Sequence, residues 1–262
     1  MQEKNRGLAL FTFLVFIFLL GPLLIISITS FEGGNILKFP PENYSLRWYE
    51  NIFKVEMFLN TFKTSILVSL AGNLLALLIG VPAAYALSRF DFKGKNLVNA
   101  IFISPILIPG IVLGFSFLRY MVVTYQFSIY TGLFIGHTVI MLPFIIRVIS
   151  SSLTNFDFSI EEAAVSLGAS KIGTFFKIVL PNIKSGIVAA VMIAFLESFN
   201  NVDISVYMTG PGVSTFPIQM LLYVENYFDP TIAAISVLLM LITAFFMFVV
   251  ERLMGLSYFT KG

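Results

Sequence analysis

The chain has 262 residues, 58% of them hydrophobic and only 11% charged, where a soluble domain carries about 25% charged residues. That composition excludes a soluble globular protein and leaves room for six or seven membrane-spanning helices and little else. With no cysteine, one histidine and a net charge of +2, the chain offers no disulfide, no thiolate metal site and no zinc-protease motif, and neither a metal nor a nucleic-acid partner is expected.

Six stretches are long and apolar enough to cross the roughly 30 Å of bilayer hydrocarbon: residues 8–30, 64–88, 97–118, 129–146, 186–208 and 231–250. The first is too long for a signal-peptide core and lacks a small-residue cleavage pattern, so it is expected to remain as a span. Continuous apolar runs without two-residue alternation predict helices rather than a barrel. Gly80 and Pro82 lie near the end of the second run, Pro105 and Pro109 within the third, and His137 and Pro143 within the fourth. Proline there predicts kinks or freed carbonyls. His137 has no cysteine or nucleophile motif beside it and is read as a packed, helix-bridging residue. The whole is expected to be one transmembrane domain, residues 1–262.

The longest segment between spans on the outer side, residues 31–62, contains FPPENYSLRWYENIF. It predicts a proline turn followed by a short amphipathic helix, with Tyr44, Trp48 and Tyr49 as interfacial anchors.

Orientation follows from lysine and arginine placement. With the amino terminus inside, one side receives Lys4, Arg6, Arg89, Lys93, Lys95, Arg147, Lys171, Lys177, Lys184, Arg252 and Lys261. The other receives Lys38, Arg47, Lys54, Lys63 and Arg119. This asymmetry places both termini and residues 157–183 in the cytoplasm.

Residues 161–181, EEAAVSLGASKIGTFFKIVLP, are unlike the spans around them. Ile160, Ala163, Ala164 and Leu167 fall on one helical face, and Ile172, Phe175, Phe176 and Val179 repeat the spacing. Ser159 with Glu162 three residues later fits a capping box, Gly168 stands where a helix-terminating glycine belongs, and Pro181 is expected to break the second helix. The run Glu162-Ala163-Ala164, three residues, Gly168, nine residues, then Ile178-x-Leu180-Pro181 is similar to the EAA loop of ABC-importer permeases. The resemblance extends over about the whole chain. It implies an all-α membrane protein of the type I ABC importer fold, with six transmembrane helices and cytoplasmic coupling helices. It also implies that Glu161, Glu162, Ala163, Ala164, Gly168, Ile178, Leu180 and Pro181 couple the chain to an ATPase. The sequence has no G-x-x-x-x-G-K-[ST] run to cradle phosphates itself. The implied partners are therefore two ABC ATPase subunits that bind ATP and Mg, a second permease subunit, an extracytoplasmic substrate-binding protein and the surrounding lipid. The chain itself is expected to hold no cofactor and to catalyse nothing, and to reside in the inner membrane of a prokaryote.

The fifth span carries the polar residues. Glu197 lies twelve residues past Ser185, roughly 18 Å along a helix, and a charge at that depth costs about 2.5–3.5 kcal/mol on insertion scales. On a continuous helix Glu197, Asn200, Asn201 and Asp203 share an arc of roughly 160°. Two readings stand: a lining for a cationic or strongly polar solute, or interhelical glue toward a partner subunit. The stretch SFNNVDISVYMTGPGVSTFPIQM resembles permeases of the spermidine/putrescine branch, with Gly210-Pro211-Gly212 as an outer turn. That branch implies a polyamine cargo, with iron, thiamine or aminophosphonate-type solutes as alternatives. From other classes stand an ion-coupled secondary transporter using Glu197 and Asp203, and an intramembrane enzyme, for which no nucleophile–base or metal constellation is present.

Overall fold

Every regular element in the computed structural model, which describes residues 6–254, is a helix. In hydrocarbon an apolar run satisfies its own backbone groups only in this way or in a closed barrel. The order is α1 (Arg6–Thr29), α2 (Arg47–Lys54), α3 (Glu56–Arg89), α4 (Lys95–Leu107), α5 (Gly110–Phe117) and α6 (Ile129–Thr154), followed by α7 (Ser159–Ser166), α8 (Lys171–Thr174), α9 (Leu180–Asn182), α10 (Lys184–Phe199), α11 (Phe216–Asn226) and α12 (Thr231–Met254). Two π-helical segments, Leu118–Thr124 and Phe175–Val179, continue α5 and join α8 to α9. Four helices are long and apolar enough to cross a membrane singly, and two bent pairs bring the candidate spans to six. Lys4 and Lys261, counted in the charge asymmetry, lie outside the described residues.

The chain divides into two compact units, one of residues up to 59 together with 219–246, the other of residues 60–218 together with 247 onward. In the first, α1 buries none of its apolar window within the chain. Residues 31–46 are organised around Glu32, which is buried. Its carboxylate accepts the backbone N–H of Gly34 at 2.8 Å and of Glu42 at 3.1 Å. Trp48 does not lie free as an anchor: it is 7% exposed and donates its indole N–H to the Gly34 carbonyl at 3.1 Å. Tyr49 is also engaged, its hydroxyl 2.7 Å from that of Ser30, and only Tyr44 stands out at 73% exposure. The aromatic residues are drawn inward because the loop leaves peptide groups and hydroxyls that need partners.

The Gly34 and Glu42 N–H donors hold the Glu32 carboxyl below its ordinary value of 4.5. A depressed carboxyl stabilises the fold above its unfolded pKa and ceases to do so as pH falls through the folded one. Protection of the Gly34 and Glu42 amides from exchange, corrected for intrinsic rate, is expected to be flat near neutrality and to decline below about pH 4.5. Glu32→Gln removes that decline; a variant that retains it places the titration elsewhere.

In the second unit α6 is the centre. Met141, Ile145, Ile149 and Leu153 repeat at helical spacing, are fully buried, and pack with Ala190 and Ala194 of α10 and Ala76 and Ala84 of α3. Small residues on the facing helices permit close approach. Gly80 of α3 is one such point, since a Cβ there would stand 2.7 Å from the Ile145 side chain.

Two elements differ from the hydropathy reading. Residues 97–118 are not one continuous helix: α4 and the helix from Gly110 to Thr124 meet at 100°. Ile108, before Pro109, is extended at φ −87° and ψ 131°, as sterics impose on a residue preceding proline. Residues 186–208 are not one helix either. Here α10 ends at Phe199 and the chain continues in turns.

Candidate functional site

The segment from 157 to 183 is two short helices around a glycine. Its first start differs from the capping-box expectation. Ser159 does not cap α7, whose N-cap is Phe158 without a side-chain bond; just before it the Asp157 carboxylate accepts the Ser159 N–H at 2.9 Å. Helix α7 ends as the glycine predicts: Gly168 is left-handed at φ +92°. Its N–H reaches the Val165 carbonyl and the Ala169 N–H the Ala164 carbonyl, both at 3.0 Å. This is the double closure of a helix end that only glycine enters without strain. Ser170 then caps α8 by accepting from Gly173 at 3.1 Å.

Pro181 does not break the second helix. The π segment Phe175–Val179 widens the turn ahead of it, which accommodates the missing N–H and the ring. The chain bends instead at Ile183, where the helix ending at Asn182 meets α10 at 72°.

The two helices divide their side chains sharply. Val179 is fully buried and Leu180 packs against the α6 core, while Ile178 is half-buried and Pro181 exposed. Toward the other side Ile160 (48%), Leu167 (90%), Ile172 (73%) and Phe176 (61%) stand exposed with Ala163, and Ala164 is half-buried. These short helices thus present an apolar stripe that no other described residue covers.

What holds α7 in place is Arg89, the last residue of α3. Its Nη2 donates to Glu162 Oε1 at 2.7 Å, and its Nε faces Glu161 Oε2 at 3.5 Å. The Tyr85 hydroxyl donates to Glu161 Oε1 at 2.6 Å. Glu161 is only 6% exposed, so its charge depends on these two partners. The helix ends favour the arrangement, carboxylates at the first turn of α7 and a guanidinium at the last turn of α3. A cavity of about 690 Å³ opens beside the clamp, lined by Tyr85, Arg89, Glu161, Glu162, Lys171 and Phe176 among others. Sequence reasoning placed Arg89 only in a charge count and missed Tyr85. A terminal arginine one turn after a tyrosine, both at the end of a span, is the signal that was available.

The polar residues after Ser185 do not form one helical arc. Glu197 is exposed on the last turn of α10 and has no hydrogen bond or ion pair among the described residues. Asn200 donates to the Leu196 carbonyl at 3.1 Å, and Asn201 accepts the Ile204 N–H at 3.0 Å. The Asn200 amide thus bonds back to the last turn of α10, and the Asn201 amide closes the turn that follows. Asp203 lies in the following turn against α5, where a Cβ on Gly110 or Gly114 would collide with it. That turn is anchored from within. His137 Nε2 lies 3.1 Å from Ser205 Oγ and its Nδ1 2.8 Å from Ser198 Oγ, which reaches Ser69 on α3 at 3.0 Å. His137 therefore bridges α3, α6, α10 and the turn. Gly210-Pro211-Gly212-Val213 closes as a tight turn, with Gly212 at φ +74° and reciprocal 2.9 Å bonds between Gly210 and Val213.

Residues 72–257 match the family described as "Binding-protein-dependent transport system inner membrane component". The chain is 28% identical over 232 residues to the putrescine transport system permease protein PotI of Escherichia coli K12, covering 86% of this chain and 82% of that one. It is 27% identical over 230 residues to the spermidine/putrescine transport system permease protein PotC of the same strain, covering 87% and 86%. In fold it is similar to a chain of a bacterial ABC transporter involved in the import of the acidic polysaccharide alginate, with a TM-score of 0.71 at 16% identity over 96% of this chain and 98% of that one.

Proposed function

The chain belongs to the family of binding-protein-dependent transport system inner membrane components, and we propose that it is the permease subunit of an ATP-driven importer whose cargo is a small cationic solute, a polyamine such as putrescine or spermidine. The observation that carries the coupling role is the uncovered apolar stripe of α7 and α8, fixed to α3 by Arg89. A short helix with small and apolar residues facing out docks in a complementary groove. Its occupant here is an ABC ATPase, two copies of which bind ATP and Mg, so this chain hydrolyses nothing. Closure of the ATPases pushes α7, and the Arg89 clamp passes the displacement to α3. A second permease completes the cavity, and an extracytoplasmic binding protein delivers the cargo. The uneven lysine and arginine distribution supports cytoplasmic termini and a cytoplasmic α7–α9 segment.

The polyamine reading is supported by the relatives PotI and PotC, a putrescine and a spermidine/putrescine permease, and by Glu197, whose exposed carboxylate has no partner among the described residues. An ion-coupled carrier has no use for an uncovered stripe on α7 and α8, and that stripe favours the ATP-driven reading. The test is to purify the complex from its native membrane and measure ATPase stimulation by polyamines, thiamine, aminophosphonates and iron complexes. An ATPase and a second permease with polyamine stimulation support the whole reading. Stimulation by another solute on the panel replaces the cargo, and a chain that purifies alone overturns the coupling role.

A further inference from the structure

Between α6 and α10, on the half of these helices that leads into α7–α9, lies a second cavity of about 390 Å³. Arg147, Ser151 and Ser152 come from α6, and Ser185 and Gly186 from the start of α10. The helices meet closely at its floor, where a Cβ on Gly186 would collide with Ser152 Oγ.

The hydroxyls of the lining are not engaged with their own helix turns. Hydroxyls on apolar helices usually bond back to their own turn. Here Thr12, Ser27, Thr64, Ser104, Ser116 and Thr138 each donate to a carbonyl three or four residues earlier. Ser151, Ser152 and Ser185 make no such bond among the described residues. Arg47 bonds the Gly33 carbonyl and Asn35, and Arg89 pairs with Glu161 and Glu162, whereas no described carboxylate lies within ion-pair distance of Arg147. The cavity therefore gathers a guanidinium and three hydroxyls with no acidic group, a donor-rich set that matches an oxyanion. Arg147 lies seven residues before the end of α6, about 10 Å along the axis. It directly follows the apolar run of residues 129–146, and the end of such a run is where hydrocarbon gives way to headgroups.

We propose that this cavity binds a phosphate oxyanion, with Arg147 as the charge partner and Ser151, Ser152 and Ser185 as hydroxyl donors. The anion comes from one of two sources, the headgroup of an anionic phospholipid or free inorganic phosphate. The site shares no residue with the proposed cargo path of Glu197, Asn200, Asn201 and Asp203, and it does not depend on the polyamine reading.

The experiment uses the whole purified complex in nanodiscs. Wild type, Arg147→Gln and the triple variant Ser151→Ala, Ser152→Ala, Ser185→Ala are compared by native mass spectrometry. One arm measures retained phosphatidylglycerol in mixed phosphatidylglycerol–phosphatidylcholine discs. The other measures retained inorganic phosphate in phosphatidylcholine discs. Arg147→Gln is expected to lower retention about tenfold and the serine variant severalfold, the range of a lost charge-assisted bond and of lost neutral ones. A fall in the first arm assigns the site to lipid, and a fall in the second alone assigns it to the free anion. Unchanged retention in both variants overturns the proposal. So does release of the second membrane subunit by Arg147→Gln with retention unchanged, which gives Arg147 to a carboxylate of that partner. Should Arg147→Gln fail to assemble, the serine variant decides by itself, because alanine favours both helices.

Discussion

Replacing Ala163 with aspartate is expected to leave the chain inserted and folded while reducing cargo-stimulated ATP hydrolysis of the reconstituted complex to its basal level. Ala163 is exposed in the stripe with Ile160 and Leu167, so a carboxylate there disturbs no packing inside this chain. Its cost to α7 itself is a helix propensity below about 0.7 kcal/mol. Under a docked partner the balance reverses. A carboxylate buried against apolar groups without a hydrogen-bond partner costs several kcal/mol, and about 3 kcal/mol already lowers an association constant more than a hundredfold. Gly168→Asp acts at the same place by a different route. At φ +92° any other L-residue stores about 1–2 kcal/mol of strain, so α7 and α8 change their mutual angle. Ala163 is the cleaner probe because only the docked state registers the change. Unchanged stimulated hydrolysis in the Ala163→Asp complex removes the coupling role from this stripe.

How far the sequence reaches is clearest at the ends of elements. Gly168 and the Gly210–Val213 turn were legible, because a left-handed backbone beside apolar periodicity needs glycine whatever surrounds it. The apolar runs were legible as helices for a similarly local reason. The end of α10 was not. Val202, Ile204, Val206 and Met208 keep the hydropathy high, and nothing in composition marks Phe199 as the last helical residue. Contacts distant in sequence decide it: His137 holds Ser205, and the glycines of α5 and α6 admit the turn's backbone and side chains. Pro181 misled for the opposite reason. Its local rule is sound, but the π segment before it relieves the clash and moves the bend to Ile183. The clamp on α7 lay beyond sequence reading because Tyr85 and Arg89 are more than seventy residues from Glu161. Pattern matching credited Glu161 and Glu162 alike, whereas burial separates them: one is 8% and the other 64% exposed in its side chain.

That separation orders the effects of the clamp variants. Arg89→Ala is expected to detach α7 from α3, with a loss of order in residues 157–183 and a fall in stimulated ATP hydrolysis of about tenfold or more. Glu161 would keep a buried charge with Tyr85 as its one remaining partner, and breaking a buried pair from one side costs about 3–5 kcal/mol. Arg89 is a quarter exposed, so solvent screening brings this nearer 2 kcal/mol, still more than tenfold in a local equilibrium. Glu162→Gln removes only the exposed arm of the clamp and is expected to cost below about 1 kcal/mol. Glu161→Gln falls between them, since the amide oxygen still accepts from Tyr85 and no buried charge is left behind. Combining Arg89→Ala with Glu161→Gln should cost less than the sum of the two, because the second change removes the charge that the first strands. The readouts are amide exchange across residues 157–183 and labelling of a cysteine placed at position 167, both independent of cargo. If Glu162→Gln loosens the segment as much as Arg89→Ala, the buried pair is not what holds α7. If the double variant is strictly additive, Arg89 acts on Glu161 only through the general field of the site. If the expected order holds, the span that ends at Arg89 is the element through which movement of α7 reaches the membrane.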